Sequence, residues 1–248
     1  MAVFEYDRTR QLEAFAPSSF DRTLVTSQTD MEAYLEISEN NNATSASFAV
    51  VPNGVDLNYF QVNESTSREP ASLVISGKMS YHANRSMVNF MVSEIMPKVW
   101  KKRPDVKLWI VGKDPPKDIQ NLGDSSLIHV TGTVEDIRPY LQHATAAVVP
   151  LVYGTGVQNK VLESMACGTP IITTPLAISA LDVQVGRDLL VANHPREFAD
   201  EIITLLEDPQ RQRSLSVAGR RYVEDKHRWE SIASKVEDIY REVITEKH

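Results

Sequence analysis

The residues best placed to do chemistry lie between 147 and 174, in the run AVVPLVYGTGVQNKVLESMACGTPIITT. A loop free of bulky side chains, Gly154-Thr155-Gly156, leads through Val157, Gln158 and Asn159 to a cation, Lys160, and a carboxylate, Glu163. A helix opening on such a loop leaves backbone N–H groups exposed at the positive end of its dipole, a site for a phosphate or another anion. Gln158 and Asn159 belong to that first turn. Glu163 stands two turns beyond the loop, within reach of whatever it holds. Lys160 has two readings: an i, i+3 surface pair with Glu163, worth little, or an ammonium that meets a diphosphate. Cys167 has no activating partner and reads as a small packed residue.

The elements that must hold these residues follow from pattern. Ala147–Leu151 is a short apolar strand. From Val157 to Cys167 the spacing is helical, with Val157, Val161, Leu162, Met165 and Ala166 on one apolar side. Gly168 ends the helix, Pro170 blocks its continuation, and Ile171–Thr174 opens the next strand. Around this segment the alternation is regular: strands at 73–76, 106–111, 127–130 and 188–191, helices at 85–100, 135–143, 195–206 and 210–225. Strand and helix in turn with short connections predict an α/β fold, a doubly wound, Rossmann-like parallel sheet with right-handed crossovers. Ligand then lies at the carboxyl ends of the strands, near the switch point.

The other loops at those ends are Ser76–Tyr81, Val111–Asp114 and Thr131–Asp136. In the first, Gly77 is followed by Lys78, a solvated lysine or a phosphate contact, and Asn84 is placed to cap the next helix. Gly112 permits close backbone approach. Thr133 is placed to cap a helix beginning at Val134, with Asp136 in its first turn. His82 reads as a loop surface residue.

Composition narrows the function classes. The chain has 248 residues, 42% of them hydrophobic and 24% charged, which suits one large domain with attachments. A net charge of −7 argues against a nucleic-acid partner. One cysteine excludes an internal disulfide and fits a reducing, cytoplasmic compartment. The N-terminus does not read as a signal peptide. No apolar run approaches the roughly 18 to 20 residues that span a bilayer. Peripheral contact with the inner face of the membrane stays open. No His/Cys/Asp cluster has metal-ligand spacing.

The run Glu163-Ser164-Met165-Ala166-Cys167-Gly168-Thr169-Pro170 resembles the signature of the family-four (group 1) glycosyltransferases, retaining enzymes of the GT-B fold. That family usually has a second Glu eight positions earlier, here Thr155, so the chain resembles the subgroup that lacks it. Tyr81-His82-Ala83-Asn84 is similar to an aromatic-x-x-Asn turn of that subgroup. The resemblance implies that Glu163 approaches the nucleotide ribose. It further implies that the loops at Gly77, Lys78 and Gly112 approach the diphosphate side. Backbone groups near Thr133 and Val134 receive the base edge. The donor implied is a UDP-, GDP- or ADP-sugar, with no cofactor or metal required, and the acceptor a glycan or lipid.

The resemblance also implies an organisation. FDRTLVTSQTD followed by VVPNGVDLNYF is how the N-terminal domain of these enzymes ends and its linker begins. Residues 1–62 are then the tail of an acceptor domain, 63–228 the nucleotide-sugar-binding domain, and 229–248 a crossover helix with an apolar stripe of Val236, Ile239, Tyr240 and Val243. Residues 63–70 read as a polar linker. On this account the chain is one half of an enzyme, able to bind nucleotide and unable to transfer sugar alone. Two other readings use the same fold: a sugar-nucleotide epimerase, and an interaction domain that kept the fold and lost the chemistry.

Overall fold

The computed structural model describes residues 2–40, 47–63, 65–154 and 156–246. Six strands form one parallel sheet: β3 (Ser72–Ser76), β4 (Lys107–Val111), β5 (Ile128–Gly132), β6 (Ala146–Val149), β7 (Ile171–Thr173) and β8 (Leu190–Val191), in the order β5-β4-β3-β6-β7-β8. Every residue of β3, β6 and β7 is buried, as befits central strands covered on both faces. Next to the edge β4 alternates, and the edge strand β5 is only half-buried.

The chain steps outward from β3 to β4 and β5, then returns to the far side of β3 as β6. Loops leaving β3 and β6 therefore diverge, and a crevice opens between their carboxyl ends. The doubly wound parallel sheet is as the alternation required.

A second, two-stranded parallel sheet pairs β1 (Thr23–Val25) with β2 (Phe48–Val50), joined through α2 (Gln28–Asn40) and preceded by α1 (Ala2–Phe15). Ser27 Oγ accepts from the N–H of Asp30 and caps α2. The polar loop expected over 39–45 begins inside α2, and its residues from 41 on lie outside the described ones.

After β3 the chain runs helical from His82 to Lys102: α3 (His82–Phe90), a π turn (Met91–Ile95), then α4 (Met96–Lys102). Pro97 lacks an N–H and its ring would press on the preceding turn, and the widened π turn accommodates both. This corrects the expectation of one uninterrupted helix from Arg85. A short helix, α5 (Lys117–Gln120), and α6 (Arg138–His143) follow β4 and β5. Then come α7 (Asn159–Ala166), α8 (Pro195–Glu207), α9 (Pro209–Lys226) and α10 (Trp229–Glu246). No helix among the described residues is long and apolar enough to cross a membrane.

The end of the expected linker, at Arg68 and Glu69, is fastened to the sheet and its connections. Arg68 donates to the carbonyls of Gln142 and Ala144. Glu69 accepts from Lys107 Nζ at 2.7 Å and Trp109 Nε1 at 3.3 Å. Along α10, Val236, Ile239 and Val243 are half-buried, whereas Tyr240 is exposed, so the expected stripe is only partly covered. Near its end, Glu246 pairs with Arg22 at 3.4 Å, tying α10 to the residues just before β1.

Candidate functional site

The crevice between the ends of β3 and β6 is a cleft of about 380 Å³. Gly77, Gly154, Val157, Gln158, Asn159, Lys160 and Glu163 line it, joined by Ser76, Tyr81, Ala83, Ile137 and Leu151. The segment singled out for its chemistry therefore meets the first loop, 81 residues before Gln158 in the case of Gly77, at the place the topology dictates.

Helix α7 starts later than expected. Gln158 is its N-cap, in extended conformation, and Val157 lies before it, half-buried. The Val161 N–H already donates to the Gln158 carbonyl at 2.8 Å, while the N–H groups ahead of it have no carbonyl one turn behind them and are aimed toward the helix start. Gly156 (φ 79°) and Gly154 (φ 128°) make the loop with backbone that L side chains rarely adopt. Thr155, which stands where the first Glu of the resemblance would be, lies outside the described residues. Val161, Leu162, Met165 and Ala166 bury the inner face of α7, and Gly168 (φ 67°) ends it, as its spacing indicated.

Of the two readings of Lys160, the i, i+3 pair with Glu163 does not form. Lys160 Nζ instead donates to Gln158 Oε1 at 2.9 Å. Both residues are half-buried. Burial pushes the Glu163 carboxyl above its ordinary range, with the Lys160 charge opposing. Burial likewise pulls the Lys160 ammonium down, with Glu163 opposing. A poorly hydrated ammonium and carboxylate beside a helix N-terminus form a site that an anionic ligand bearing hydroxyls can satisfy.

The remaining predicted residues distribute differently. Gly112 does not line the cleft but presses on the loop that does: a Cβ there would sit 1.7 Å from the Gly77 carbonyl oxygen. Lys78 is exposed and lies 3.8 Å from Asp114 Oδ2. Thr133 is exposed and caps nothing, because α6 starts only at Arg138, with Pro139 in its first turn. Asp136, rather than Thr133, accepts from the N–H of Arg138 at 2.9 Å. Val134 faces a neighbouring open groove along β5. Asn84 is not a cap either. It lies inside α3, buried, and its Nδ2 donates to the Lys78 carbonyl at 3.0 Å, fixing the Ser76–Tyr81 loop from behind.

Three features were not read from the sequence. His82, the first residue of α3, stacks on Tyr153 with ring centroids 5.3 Å apart and planes 6° apart. Its Nδ1 lies 2.9 Å from Tyr153 Oη, to which Ser86 Oγ also donates. The loops after β3 and β6 are thus tied at the mouth of the cleft. Secondly, Asn53 Nδ2 donates to Asn159 Oδ1 at 2.9 Å. The Pro-Asn-Gly turn was visible as a turn, but nothing in the sequence points it at residue 159. Thirdly, Ile137 forms part of the wall, a consequence of the late start of α6.

A wider cleft of about 840 Å³ lies beside α9 and the residues just before β8, lined by Arg213, Arg221 and Lys226 among others. It sits at the β8 edge of the sheet, away from the β3/β6 switch point. Arg221 and Lys226 there already face Asp225 and Asp182. Cys167 is buried against the sheet, and burial pushes its thiol up to about 12, which makes it inert.

A model of the family described as glycosyl transferases group 1 matches residues 70–208, more than half of the chain. The MMP alpha-(1->4)-mannosyltransferase of Mycolicibacterium hassiacum is 29% identical over 209 residues, covering 79% of this chain and 48% of that protein. The alpha-maltose-1-phosphate synthase of Mycolicibacterium smegmatis is 25% identical, covering 78% and 56%. Among solved structures, a sucrose-phosphate synthase from Thermosynechococcus elongatus shares the fold with a TM-score of 0.78 at 22% identity, over 96% of this chain and 62% of that one. HepE of Anabaena, solved in complex with UDP and glucose, does so with a TM-score of 0.70 at 15% identity, over 88% and 62%. The chain spans about half the length of the curated relatives it matches.

Proposed function

This chain belongs to the group 1 glycosyl transferase family, and on that premise we propose that it is the donor-binding half of a retaining glycosyltransferase of the GT-B fold. The observation that carries the reading is the cleft at the β3/β6 switch point, where the start of α7, Lys160 and Glu163 converge. In this reading the diphosphate of a UDP-, GDP- or ADP-sugar sits against the backbone N–H groups at 156–159. Lys160, freed from Gln158, meets its charge. Glu163 accepts from the ribose hydroxyls. Gly77 and Gly112 keep the facing loop low enough for the phosphates to approach. The base extends toward Thr133 and Val134 by way of Ile137.

Transfer would break the bond between the anomeric carbon and the diphosphate, and the leaving oxygens would gather negative charge. Fixed N–H dipoles at a helix start stabilise that charge without reorganising. The acceptor, a glycan or a lipid-linked sugar, would be held by a second domain. Residues 1–62 would be the end of that domain, 63–228 the donor domain, and 229–248 the helix that returns to the first. Contact with a membrane face would come through the acceptor side. The solved complex of HepE with UDP and glucose supports a nucleotide-sugar as the ligand class.

The test is calorimetric titration of the chain with UDP, GDP and ADP, beside Glu163→Ala. Saturable binding of one nucleotide, weakened roughly tenfold or more by the loss of a charged hydrogen-bond acceptor, is expected. Binding that ignores the substitution would remove Glu163 from the site.

A further inference from the structure

We infer that Asn53 is a positioning residue for the anion-binding end of α7, an inference that rests on the donor-site reading above. Asn53 lies in the segment between β2 and β3, and Asn159 is the first residue of α7. Their side chains meet, Asn53 Nδ2 donating to Asn159 Oδ1 at 2.9 Å. An amide has one acceptor end and one donor end. With its oxygen engaged by Asn53, Asn159 is left with its NH₂ for the cleft it lines. That is the polarity an anionic ligand needs.

Asn53 itself is held firmly. Its carbonyl accepts from His227 Nδ1 at 2.7 Å, and the His227 Nε2 is engaged by Tyr222 Oη at 3.0 Å. The next residue, Gly54, lies flat on Trp229, whose ring atoms would be 2.5 to 2.9 Å from a Cβ. The following N–H, that of Val55, donates to the His227 carbonyl at 2.7 Å. The turn at 52–55 and the start of α10 thus form one crossing of two chain segments, and the Asn53 side chain reaches from that crossing to Asn159 at the cleft. Occupancy of the cleft and the geometry of the crossing are coupled through the Asn53–Asn159 bond.

The experiment is titration with UDP, GDP and ADP of the wild-type chain, Asn53→Ala, Asn53→Asp, Asn159→Ala and the Asn53→Ala/Asn159→Ala double variant, each with its melting temperature. Asn53→Ala frees the Asn159 amide to turn, and the affinity for the preferred nucleotide falls roughly threefold to tenfold, the worth of one neutral hydrogen bond. Asn53→Asp loses more, because an acceptor at 53 draws the Asn159 NH₂ away and turns its oxygen on the ligand. In the Asn159→Ala background, Asn53→Ala has no further effect. Melting temperatures stay within about 2 °C of wild type, as for other exposed polar substitutions. A wild-type chain that binds none of the three nucleotides overturns the donor-site reading and this inference with it. A wild-type chain that binds, with Asn53→Asp no weaker than Asn53→Ala or with the Asn53 effect undiminished in the Asn159→Ala background, overturns this inference alone.

Discussion

Gly112 lies so close to Gly77 that a Cβ on it would come within 1.7 Å of the Gly77 carbonyl oxygen. Both residues adopt positive φ, 149° and 146°. The N–H of Gly77 donates to the Val111 carbonyl, and that of Met79 to the Lys113 carbonyl. The loops that end β3 and β4 are in backbone contact, and that contact sets the floor of the cleft. Gly112→Ala must move one loop, and backbone cannot yield as a flexible side chain would. The expected cost is roughly 3 kcal/mol or more, enough to lower the melting temperature by some 6 °C or more. A melting temperature unchanged by Gly112→Ala would show that the two loops are not so tightly joined.

Glu163 should trade stability for binding. Burial raises its carboxyl pKa in the folded chain, with Lys160 opposing. An acid whose folded pKa lies above its unfolded one adds stability below the unfolded value, and loses it as pH rises through the folded value. At neutral pH the ionised Glu163 is therefore a burden on the ligand-free chain. Glu163→Gln is expected to raise the melting temperature near pH 7, by about 2–4 °C for each kcal/mol relieved, while weakening nucleotide binding. A lowered melting temperature would mean that the carboxylate holds the fold together rather than waiting for a ligand.

His227 gives the pH dependence the opposite sense. It is buried between Asn53 and Tyr222, and burial pushes its imidazole below the ordinary value of 6.5, with the Asn53 carbonyl opposing and Lys226 assisting. The unfolded chain then takes up a proton before the folded one does. Stability from this group is complete above pH 6.5 and is lost as pH falls through that value toward the folded pKa. Urea unfolding at about pH 7.5 and about pH 5.5 should show a larger loss for wild type than for His227→Gln, which cannot titrate. Equal losses in the two proteins would assign the acid sensitivity elsewhere.

How far the sequence spoke can be judged at particular residues. The α/β alternation, the doubly wound sheet and the end of α7 at Gly168 were readable because each rests on local chemistry: apolar strands, a 3.6-residue period, a glycine and a proline. The start of α6 was not. Thr133 and Asp136 both looked like helix-opening residues, but Pro139 and the Asp136 turn set the start at Arg138. The π turn before Pro97 escaped for a related reason, since a proline in a long helical pattern signals strain without saying how it is relieved. Lys160 was readable as a residue near the glycine loop, and it does line the cleft, but its hydrogen bond to Gln158 was not, because side-chain partners are decided by which side of the helix is buried. The ties between His82 and Tyr153 and between Asn53 and Asn159 join residues 71 and 106 apart, and no local pattern announces them.

The first of those ties makes a prediction about motion. Tyr153 Oη links to His82 Nδ1 and Ser86 Oγ, and Tyr153 immediately precedes the glycine loop. Tyr153→Phe keeps the ring on His82 and removes both hydrogen bonds. The loss in global stability should be small, about 1 kcal/mol or less at so exposed a site. Amide hydrogen exchange at Gly154, Gly156 and Val157 should quicken severalfold while the amides of β6 keep their protection. Unchanged exchange at the loop would show that Tyr153 does not restrain it.

The most direct measurement is a crystal structure of the chain with UDP, or with whichever nucleoside diphosphate binds most tightly. The account places the diphosphate oxygens within hydrogen-bonding distance, roughly 2.7–3.2 Å, of backbone N–H groups at 156–159, with Glu163 on the ribose and Lys160 turned from Gln158 toward the phosphates. A nucleotide seated instead in the cleft beside α9, against Arg213 and Arg221, or one whose phosphates leave the start of α7 untouched, would contradict it.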